Sequence, residues 1–311
     1  MNMTKEKESR FTPFLSNLHL FHQGKTRDTF EIGDEKLLVV ATDRISTHNV
    51  VHKSEIPFKG DVLTALTIFW VREILDKESI PHHLKSFGKE VFKFLPGKSS
   101  DYPKNLAKRA IIVEKLSMIP IEFIYRNYLM GSLYNDYRAR KDFYRLRLPK
   151  KLPLMYKFER PVFTPTNKSD EDEPLNSDMI RQWLFEEYDL GLKVFTLIGE
   201  YLSKSGLDLC DSKLEMGLDN SGHICVGDEI VTPDSSRFSY TKDIVEGQNP
   251  PHLDKQVARD TAEKIWGKDG TKSPIKFDDG KVTEISRTYI DIFEKITGKS
   301  LSKFQKEDMG V

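Results

Sequence analysis

A run of alternating charged and apolar residues at positions 208–238 sets the first limit on the fold. It reads DLCDSKLEMGLDNSGHICVGDEIVTPDSSRF, and the turn-forming residues DNSG occupy positions 219–222. The parts of this run before and after the turn residues have the alternation typical of strands, so together they predict a β-hairpin. Because alternate residues of a strand project from the same face, Asp211, Lys213 and Glu215 should share one face, and mostly apolar residues should occupy the other.

The acidic residues of this hairpin indicate a metal site. Asp228 and Glu229 follow the apolar run ICVG, so we expect them in a largely buried sheet, where carboxylates are paired or bind a metal. Glu215 could meet Asp228 or Glu229 across the hairpin, and Mg²⁺ typically takes one or two carboxylates while phosphates and water complete its coordination. Lys213 could then neutralise a phosphate or carboxylate. A solvated face of cross-strand ion pairs is the alternative interpretation.

A second segment, GKTRDTF at residues 24–30, lies between two predicted strands and suits a phosphate group. Gly24 allows close approach of the backbone, and Lys25 and Arg27 add two cations to the N–H groups of a turn. The segment does not have the Walker pattern. An exposed hairpin with Lys and Arg is its simpler explanation.

A third segment, IPIEFIYRNYLMGS at residues 119–132, combines a strand with the start of a helix. Arg126 lies at the end of the apolar strand, and Gly131 and Ser132 open the helix. A helix N-terminus with a serine and a nearby arginine can bind an anion. The alternative is an N-cap serine beside a surface arginine.

The composition argues against several classes of function. The 311 residues include 48 basic and 48 acidic side chains, so bulk charge gives no reason to expect nucleic acid or an anionic membrane as partner. No apolar run approaches the length of a membrane span, and the N-terminal residues do not resemble a secretory signal. We expect a cytoplasmic protein in which Cys210 and Cys225 are buried and reduced.

The chain reads as β-rich first and mixed afterwards, which favours an α+β fold over a doubly wound parallel sheet. Residues 141–176 have no periodicity, and we expect a long ordered loop there. The other predicted elements are antiparallel strands around a Gly33-Asp34 turn, a helix capped by Asp61, one amphipathic helix over 177–204, and helices over 254–266 and 283–295.

Together these segments resemble one known family. GKTRDTF, ATDRIS, IPIEFIYRN with GS, FTPTNKSD, DSKLEMG, GDEIVTPDSSRF and DKQVARD occur in the order seen in the SAICAR synthetase family of purine synthesis. The resemblance covers nearly the whole chain. It implies a two-lobed, ATP-grasp-like α+β fold of antiparallel sheets with flanking helices. Residues 1–115 would form a β-rich lobe with the phosphate loop, and residues 116–311 a larger lobe with the metal and substrate site.

The resemblance also implies an activity, which is ATP-dependent joining of the carboxylate of CAIR (carboxyaminoimidazole ribonucleotide) to L-aspartate, giving SAICAR, ADP and phosphate. The cofactors would be ATP and Mg²⁺, and a monomer or small homo-oligomer would act on small molecules, without nucleic acid or membrane. The implied site residues are Lys213, Asp211 and Arg27 for catalysis; Gly24, Lys25, Thr26, Arg27, Leu116, Met118 and Lys168 for ATP; Arg126, Ser132, Asp211, Lys213, Asp234, Ser236 and Arg237 for CAIR; and Glu215 and Asp228 for the metal.

Two segments depart from the family pattern. SAICAR synthetases usually have Ser-Ala-aromatic-Asp where this chain has STHN at residues 46–49, and Thr or Ala where it has Met130. Asn49 keeps the acceptor oxygen of an aspartate, loses the charge and gains two donors. Three alternatives therefore stay open: a ligase with another acid or amine substrate, a small-molecule kinase of related fold, and a binding protein without activity.

Overall fold

The structure is a computed structural model, and it describes residues 11–169, 171–251, 253–267 and 270–311. The fold is α+β with antiparallel sheets, as predicted. The chain divides into two compact units, one formed by Met1–Ile68, Leu84–Lys115 and Ala262–Val311, and the other by Phe69–His83 and Leu116–Thr261. The first unit thus includes the C-terminal residues, which the sequence prediction assigned to the second lobe.

The first unit is built on antiparallel strands. They are β1 (Leu20–Gln23), β2 (Arg27–Ile32), β3 (Lys36–Ala41), β4 (Arg44–Thr47), β5 (Val50–Glu55), β6 (Leu84–Phe87) and β7 (Ala110–Glu114). Five form one sheet in the order β1-β2-β3-β7-β6, and β4 pairs with β5 as a separate hairpin. The predicted Gly33-Asp34 turn joins β2 to β3, with Gly33 in the left-handed conformation (φ 65°) that glycine adopts most easily.

The second unit is built around one long strand. Its strands are β8 (Ser117–Met118), β9 (Ile121–Tyr128), β10 (Lys157–Phe163), β11 (Thr166–Asn167), β12 (Leu207–Leu218), β13 (Ile224–Gly227) and β14 (Ser236–Tyr240). β12 pairs antiparallel with β8, β9, β13 and β14. The predicted hairpin is confirmed, because β12 and β13 pair with Glu215 opposite Gly227. Neighbours on both sides bring β12 side chains next to those of several strands.

The helices are α1 (Lys59–Trp70), α2 (Gly131–Arg138), α3 (Ser177–Trp183), α4 (Phe185–Ser203), α5 (Gln256–Trp266), α6 (Asp279–Thr297) and α7 (Leu301–Glu307). Short 3-10 turns lie at Thr12–Leu15, Gly88–Phe94, Ser99–Asp101, Lys104–Lys108 and Thr241–Asp243, and Val71–Leu75 is a π-helical turn. None of the helices in the described ranges is long and apolar enough to cross a membrane.

Three local predictions were wrong. Asp61 lies inside the first turn of α1, where it pairs with Arg109 and accepts a hydrogen bond from Gln305 at 2.9 Å, so it does not cap the helix. The helix predicted over 177–204 is interrupted at Leu184 (φ −123°, ψ 54°), although the sequence has neither Gly nor Pro there. The segment 141–176 contains β10 and β11, which form because the edge of β9 is available for pairing.

Apolar packing holds the β12 sheet against α4. Gly191 permits this contact, since a Cβ atom there would lie 2.5 Å from Tyr125 Oη and 2.7 Å from Met216 Cε. Each large side chain buried in such a core contributes about 1.5–3 kcal/mol. Cys210 and Cys225 are both buried, as predicted, and burial raises the pKa of the Cys210 thiol to about 12.

Candidate functional site

The predicted phosphate loop is a tight turn between β1 and β2 in the first unit. The Gly24 N–H donates to the Arg27 carbonyl oxygen at 2.7 Å and closes the turn. Lys25 is exposed, while Thr26 and Arg27 are half-buried. The turn therefore presents at least one cation to solvent from a closed backbone.

Two side chains bind the carbonyl oxygens of this loop from the protein side. Arg44 donates from Nη2 to the Gly24 oxygen at 2.8 Å and from Nε to the Lys25 oxygen at 3.4 Å. Thr42 donates to the Thr26 oxygen from its backbone N (2.9 Å) and from Oγ1 (2.8 Å). Three consecutive carbonyl groups thus point toward the protein, which fixes the conformation of the loop.

A buried carboxylate holds Arg44 in this position. Asp28 accepts from Arg44 Nη2 at 2.6 Å through Oδ1 and from Nη1 at 3.2 Å through Oδ2. The two side chains are only 1% and 5% exposed, so each charge needs the other. Neither residue was assigned a role from sequence. Both are charged residues at buried positions of strands. The sequence pattern alone does not show that these positions are buried, so the structure was needed to identify them.

Asn49 contacts the phosphate loop. It follows His48 in the turn between β4 and β5, and both residues have positive φ (48° and 65°), as two-residue hairpin turns of type I′ require. Asn tolerates this conformation better than most residues. Lys25 Nζ donates to Asn49 Oδ1 at 2.6 Å.

In the second unit, the predicted charged face of β12 is an ion-pair network. Lys213 Nζ donates to Glu215 Oε1 at 3.0 Å and to Glu122 Oε1 at 2.7 Å, and Lys168 pairs with the other oxygen of Glu215. Glu122, on β9, was not predicted. The network brings together three residues that the family resemblance assigned to ATP, substrate and metal.

Both central groups of the network stay charged. Burial alone raises the pKa of Glu215, but the ammonium groups of Lys213 and Lys168 outweigh it, so this pKa lies below its ordinary value. Burial lowers the pKa of Lys213, but Glu215, Glu122 and Asp228 reverse this effect and raise the pKa. The Lys213–Glu215 pair is therefore an ion pair near neutral pH.

The predicted metal ligands fit a cation that takes few protein ligands. Glu215 lies opposite Gly227, and Asp228 follows directly, half-buried and with a positive φ of 51°. Glu229 is buried and binds the Thr232 hydroxyl, so Asp228 is the better second ligand. Among the described residues, no group of three or more His, Cys, Asp or Glu could hold a metal. Two carboxylates suit Mg²⁺ bound mainly by phosphate and water.

Two arginines converge on one carboxylate oxygen. Asp211 lies between Arg126 of β9 and Arg237 of β14, and its Oδ2 accepts from the Nη1 of each at 2.6 Å. Arg126 also donates to Thr164 Oγ1 at 2.8 Å and to Ser132 Oγ at 3.4 Å. Two further carboxylates act on the pair from nearby, that of Asp254 on Arg237 and that of Asp136 on Arg126.

The N-terminus of α2 lies at this arginine pair. Gly131 has φ 58°, and a Cβ atom there would come within 2.4 Å of Arg237 Nη1. The helix N-terminus, Ser132 and the two guanidinium groups thus lie together, an arrangement of donors of the kind that binds anions. Arg126 thus lies beside Ser132 and the helix N-terminus, as the sequence suggested, and Asp211 orients both arginines.

The remaining predicted residues have local partners. The Ser236 hydroxyl lies 2.8 Å from that of Ser212, and Asp234 lies 3.8 Å from Lys255 Nζ. Met118 is 38% exposed, and its Cε lies 3.2 Å from the position of a Cβ atom built on Gly227. Leu116 Cβ lies 2.9 Å from a Cβ atom built at Gly217. Small residues of the hairpin thus adjoin the segment 116–118.

Comparisons with known proteins identify the family of this chain. The family model for SAICAR synthetase matches residues 20–273. A phosphoribosylaminoimidazole-succinocarboxamide synthase from Corynebacterium ammoniagenes is 34% identical over 303 residues, covering 94% of this chain and 98% of that protein.

Solved structures give the same result. SAICAR synthase from Saccharomyces cerevisiae, in complex with SAICAR, matches with a TM-score of 0.81 at 31% identity, over 94% of this chain and 98% of that one. A SAICAR synthetase in complex with ADP matches with a TM-score of 0.63 at 26% identity, over 90% and 98%. The family model, the sequence relatives and the solved structures agree, and the chain belongs to the SAICAR synthetase family.

Proposed function

We propose that this protein is an ATP-dependent ligase that joins the carboxylate of CAIR to the amine of L-aspartate, giving SAICAR, ADP and phosphate. The observation that carries the proposal is the convergence of Arg126 and Arg237 on Asp211, on the same strand as Lys213 and Glu215. The family membership gives it a reaction, since the yeast relative was solved with SAICAR and another relative with ADP.

In this proposal, the guanidinium groups of Arg126 and Arg237 bind the anionic groups of CAIR, with Ser132 at the helix N-terminus. Arginine suits this role because its planar group can bind phosphate or carboxylate through two N–H donors. Asp211 positions the pair and prevents their mutual repulsion. Lys213, which remains charged, neutralises the reacting carboxylate, and Asp234 and Ser236 complete the CAIR contacts.

Nucleotide binding is assigned to two sets of residues. The loop Gly24, Lys25, Thr26 and Arg27 binds phosphates, with its backbone fixed by Arg44 and Thr42. Leu116 and Met118 pack along the adenine, and Lys168 contacts the nucleotide. The wider proposal is a two-lobed, ATP-grasp-like enzyme in which residues 1–115 hold the phosphate loop and residues 116–311 hold the metal and substrate residues.

Glu215 and Asp228 would hold Mg²⁺. When bound, the ion neutralises phosphate charge during phosphoryl transfer. Lys213 and Lys168 pair with Glu215, so the carboxylate that would bind the ion also lies beside two ammonium groups. Lys213 and Glu215 keep their charges near neutral pH, which suits a reaction driven by positioning and electrostatics.

The chemical sequence has two steps. A carboxylate oxygen of CAIR attacks the terminal phosphorus of ATP, and ADP leaves with the electrons of the broken P–O bond. The aspartate amine then attacks the acyl phosphate carbon, phosphate leaves, and the amine loses a proton. Arg27 and Lys213 stabilise negative charge in these steps, and no covalent bond to the protein forms.

One assay tests the proposal. Purified protein is incubated with CAIR, ATP, Mg²⁺ and L-aspartate, or with L-glutamate, L-asparagine or glycine in its place, and both ADP and amide product are measured. We expect SAICAR and ADP in equal amounts with L-aspartate. ADP release that needs no amine would instead identify a kinase, another preferred amine would identify altered specificity, and no ADP would identify a binding protein.

A further inference from the structure

The loop that follows α2 carries a dense positive charge. Residues 138–151 read RARKDFYRLRLPKK, with seven Lys or Arg and one acid, a net charge of +6 in a chain whose total is zero. All seven basic side chains are exposed. We call residues 138–151 the basic loop. Such a concentration of charge creates a local positive potential that the overall composition conceals.

Most charges of the basic loop have no carboxylate partner, although Lys141 acts on the nearby carboxylate of Asp136. Its one acid, Asp142, uses Oδ1 to accept from the Leu146 N–H (2.8 Å) and Oδ2 to accept from the Arg147 N–H (3.1 Å). Within the described ranges of the chain, none of the seven basic side chains forms an ion pair. Arg138 and Lys141 lie instead over the rings of Tyr134 and Phe143, contacts that leave the charge in place.

The backbone of the basic loop is held in one conformation. Tyr144 is buried, and Leu146 and Leu148 alternate with the basic residues and pack into the same apolar cluster as Leu129 and Leu133. The Tyr137 hydroxyl donates to the Pro149 oxygen and accepts from the Leu152 N–H, both at 2.7 Å. The basic side chains are therefore displayed from a packed base.

Four basic residues of the loop occupy a backbone conformation that favours glycine. Arg140, Arg145, Arg147 and Lys151 have φ between 53° and 66°. Gly or Asn would adopt this conformation at lower cost, so the long cationic side chains are present despite the backbone preference. Backbone strain of this kind is concentrated at functional sites.

The basic loop is close to the arginine pair. It continues α2, whose first turn carries Ser132, and it returns so that the Tyr144 oxygen accepts from the Ser177 N–H at 3.2 Å. Burial raises the pKa of Tyr144, and the charge of Arg126 partly opposes this effect. Tyr144 thus lies within electrostatic range of Arg126, which we assign to CAIR.

We propose that the basic loop attracts the phosphate-bearing CAIR toward Arg126 and Arg237 and raises its local concentration there. The inference rests on the proposed function. CAIR carries a phosphate and a carboxylate, so its attraction to a +6 surface is strong at low ionic strength and is screened within about 8–10 Å at physiological salt. The loop acts on encounter and leaves the chemical step unchanged.

The test compares two triple variants with the same charge change. One combines Arg140→Gln, Arg145→Gln and Arg147→Gln in the basic loop. The control combines Arg287→Gln, Lys303→Gln and Lys306→Gln on the exposed sides of α6 and α7. Steady-state kinetics for CAIR and for ATP are measured at about 20 and 300 mM ionic strength, with thermal unfolding as a check of folding.

We expect the basic-loop variant to lose about fivefold in kcat/KM for CAIR at low salt and far less at high salt, because electrostatic attraction of substrates commonly contributes 10-fold or more. Its kcat should equal that of the wild type, and its KM for ATP should change less. The control should match the wild type throughout.

Three outcomes would overturn the inference. The first is an unchanged kcat/KM for CAIR in the basic-loop variant, and the second is an equal loss of kcat/KM in both triple variants. The third is unchanged kinetics together with weaker binding of a single-stranded RNA oligonucleotide, which would assign the loop to nucleic acid. A wild-type protein that makes no SAICAR would refute the proposed function itself, whereas normal wild-type turnover with an inert basic loop refutes only this inference.

Discussion

The ammonium group of Lys25 donates a hydrogen bond to the side-chain oxygen of Asn49 at 2.6 Å. Asn49 is the position at which SAICAR synthetases usually have an aspartate. The contact shows that the residue at this position acts on the phosphate loop. Because Asn49 is a neutral acceptor, we expect Lys25 to remain available to a bound phosphate, and we expect the departure from the family pattern to affect ATP binding before the choice of amine.

Replacing Asn49 by Asp should weaken ATP binding. The new carboxylate would form an ion pair with Lys25 and compete with the triphosphate, and Asp also tolerates the positive φ at this position. Because exposed ion pairs contribute about 0.2–1 kcal/mol, we expect the KM for ATP to rise about two- to fivefold. The measurement is the KM for ATP at saturating CAIR and aspartate.

The wild type and the Asn49→Asp protein should have the same amine specificity, with L-aspartate preferred over L-glutamate, L-asparagine and glycine. If the wild type preferred another amine, or if only the Asn49→Asp protein accepted CAIR, the residue would determine substrate identity and the named reaction would be wrong for this chain.

Replacing Arg44 by Lys should raise the KM for ATP about tenfold and change the KM for CAIR little. Lys cannot bind Asp28 through two donors and also reach the Gly24 and Lys25 oxygens, so the phosphate loop loses its support. Loss of a charge-assisted hydrogen bond costs about 1.5–3 kcal/mol, which is consistent with this factor.

Asp28→Asn is the matched variant for Arg44, because it keeps the shape of the partner and removes the charge. It should raise the KM for ATP in the same way. Equal increases in the KM for ATP and for CAIR, or a lowered melting temperature with unchanged KM values, would show that the Arg44–Asp28 pair only stabilises the fold.

The hairpin shows how much of the site could be read from sequence. Period-two alternation placed Lys213 and Glu215 on one face, and their ion pair at 3.0 Å agrees with it. Turn residues also located the phosphate loop between β1 and β2. Both predictions depend on local geometry, in which spacing along the chain determines which side chains meet.

What the sequence could not reveal depends on contacts between distant strands. Glu122 joins Lys213 across 91 positions because β9 pairs with β12, and Arg44 reaches back to Gly24 because the chain folds over the β1–β2 turn. The strand β10 forms inside a segment without periodicity, since pairing with β9 overrides weak local preference. These partners follow from tertiary structure alone.

Replacing Asp228 by Ala should abolish Mg²⁺-dependent turnover and weaken Mn²⁺ binding in the presence of ATP, with the fold intact. Removing a residue that binds the metal directly should lower metal affinity or activity by more than the roughly 10–100-fold seen when a residue that only contacts such a ligand is lost. The exposed Glu186→Ala protein is the control. Near-normal activity at saturating Mg²⁺ would show that the metal assignment is wrong, and a raised Mg²⁺ requirement alone would place Asp228 outside the ligands.

Glu215 should make stability depend on pH in the acid range. Its pKa in the folded protein lies below the ordinary value of 4.5, so its contribution is complete above that pH and is lost as pH falls through the lower, folded-state pKa. Lys213, whose pKa is raised, contributes fully throughout this range. Urea unfolding should therefore show Glu215→Gln to be less stable than wild type by a constant amount between about pH 5 and 9.

The gap between wild type and Glu215→Gln should close as the pH is lowered from about 4.5 toward 3, because wild-type Glu215 then becomes protonated too. The exposed Glu186→Gln protein should follow the wild type at every pH. A gap that stays constant down to pH 3 would mean that the Glu215 charge does not stabilise the fold.

Replacing Gly131 by Ala should weaken CAIR binding through Arg237. The new Cβ atom would lie 2.4 Å from Arg237 Nη1, so the guanidinium group must move away from Asp211 and from the N-terminus of α2. We expect the KM for CAIR to rise about tenfold or more, the effect of losing one charge-assisted contact, with little change in the KM for ATP. Arg237→Lys should give the same pattern without altering the backbone.

Gly206→Ala is the matched control, because Gly206 has a similar φ of 70° but no atom within 4 Å of its Cβ position. It should reproduce the backbone strain and leave the KM for CAIR unchanged. If Gly206→Ala raised the KM for CAIR as much as Gly131→Ala, or if Arg237→Lys affected ATP and CAIR equally, the assignment of the arginine pair to the nucleotide substrate would be refuted.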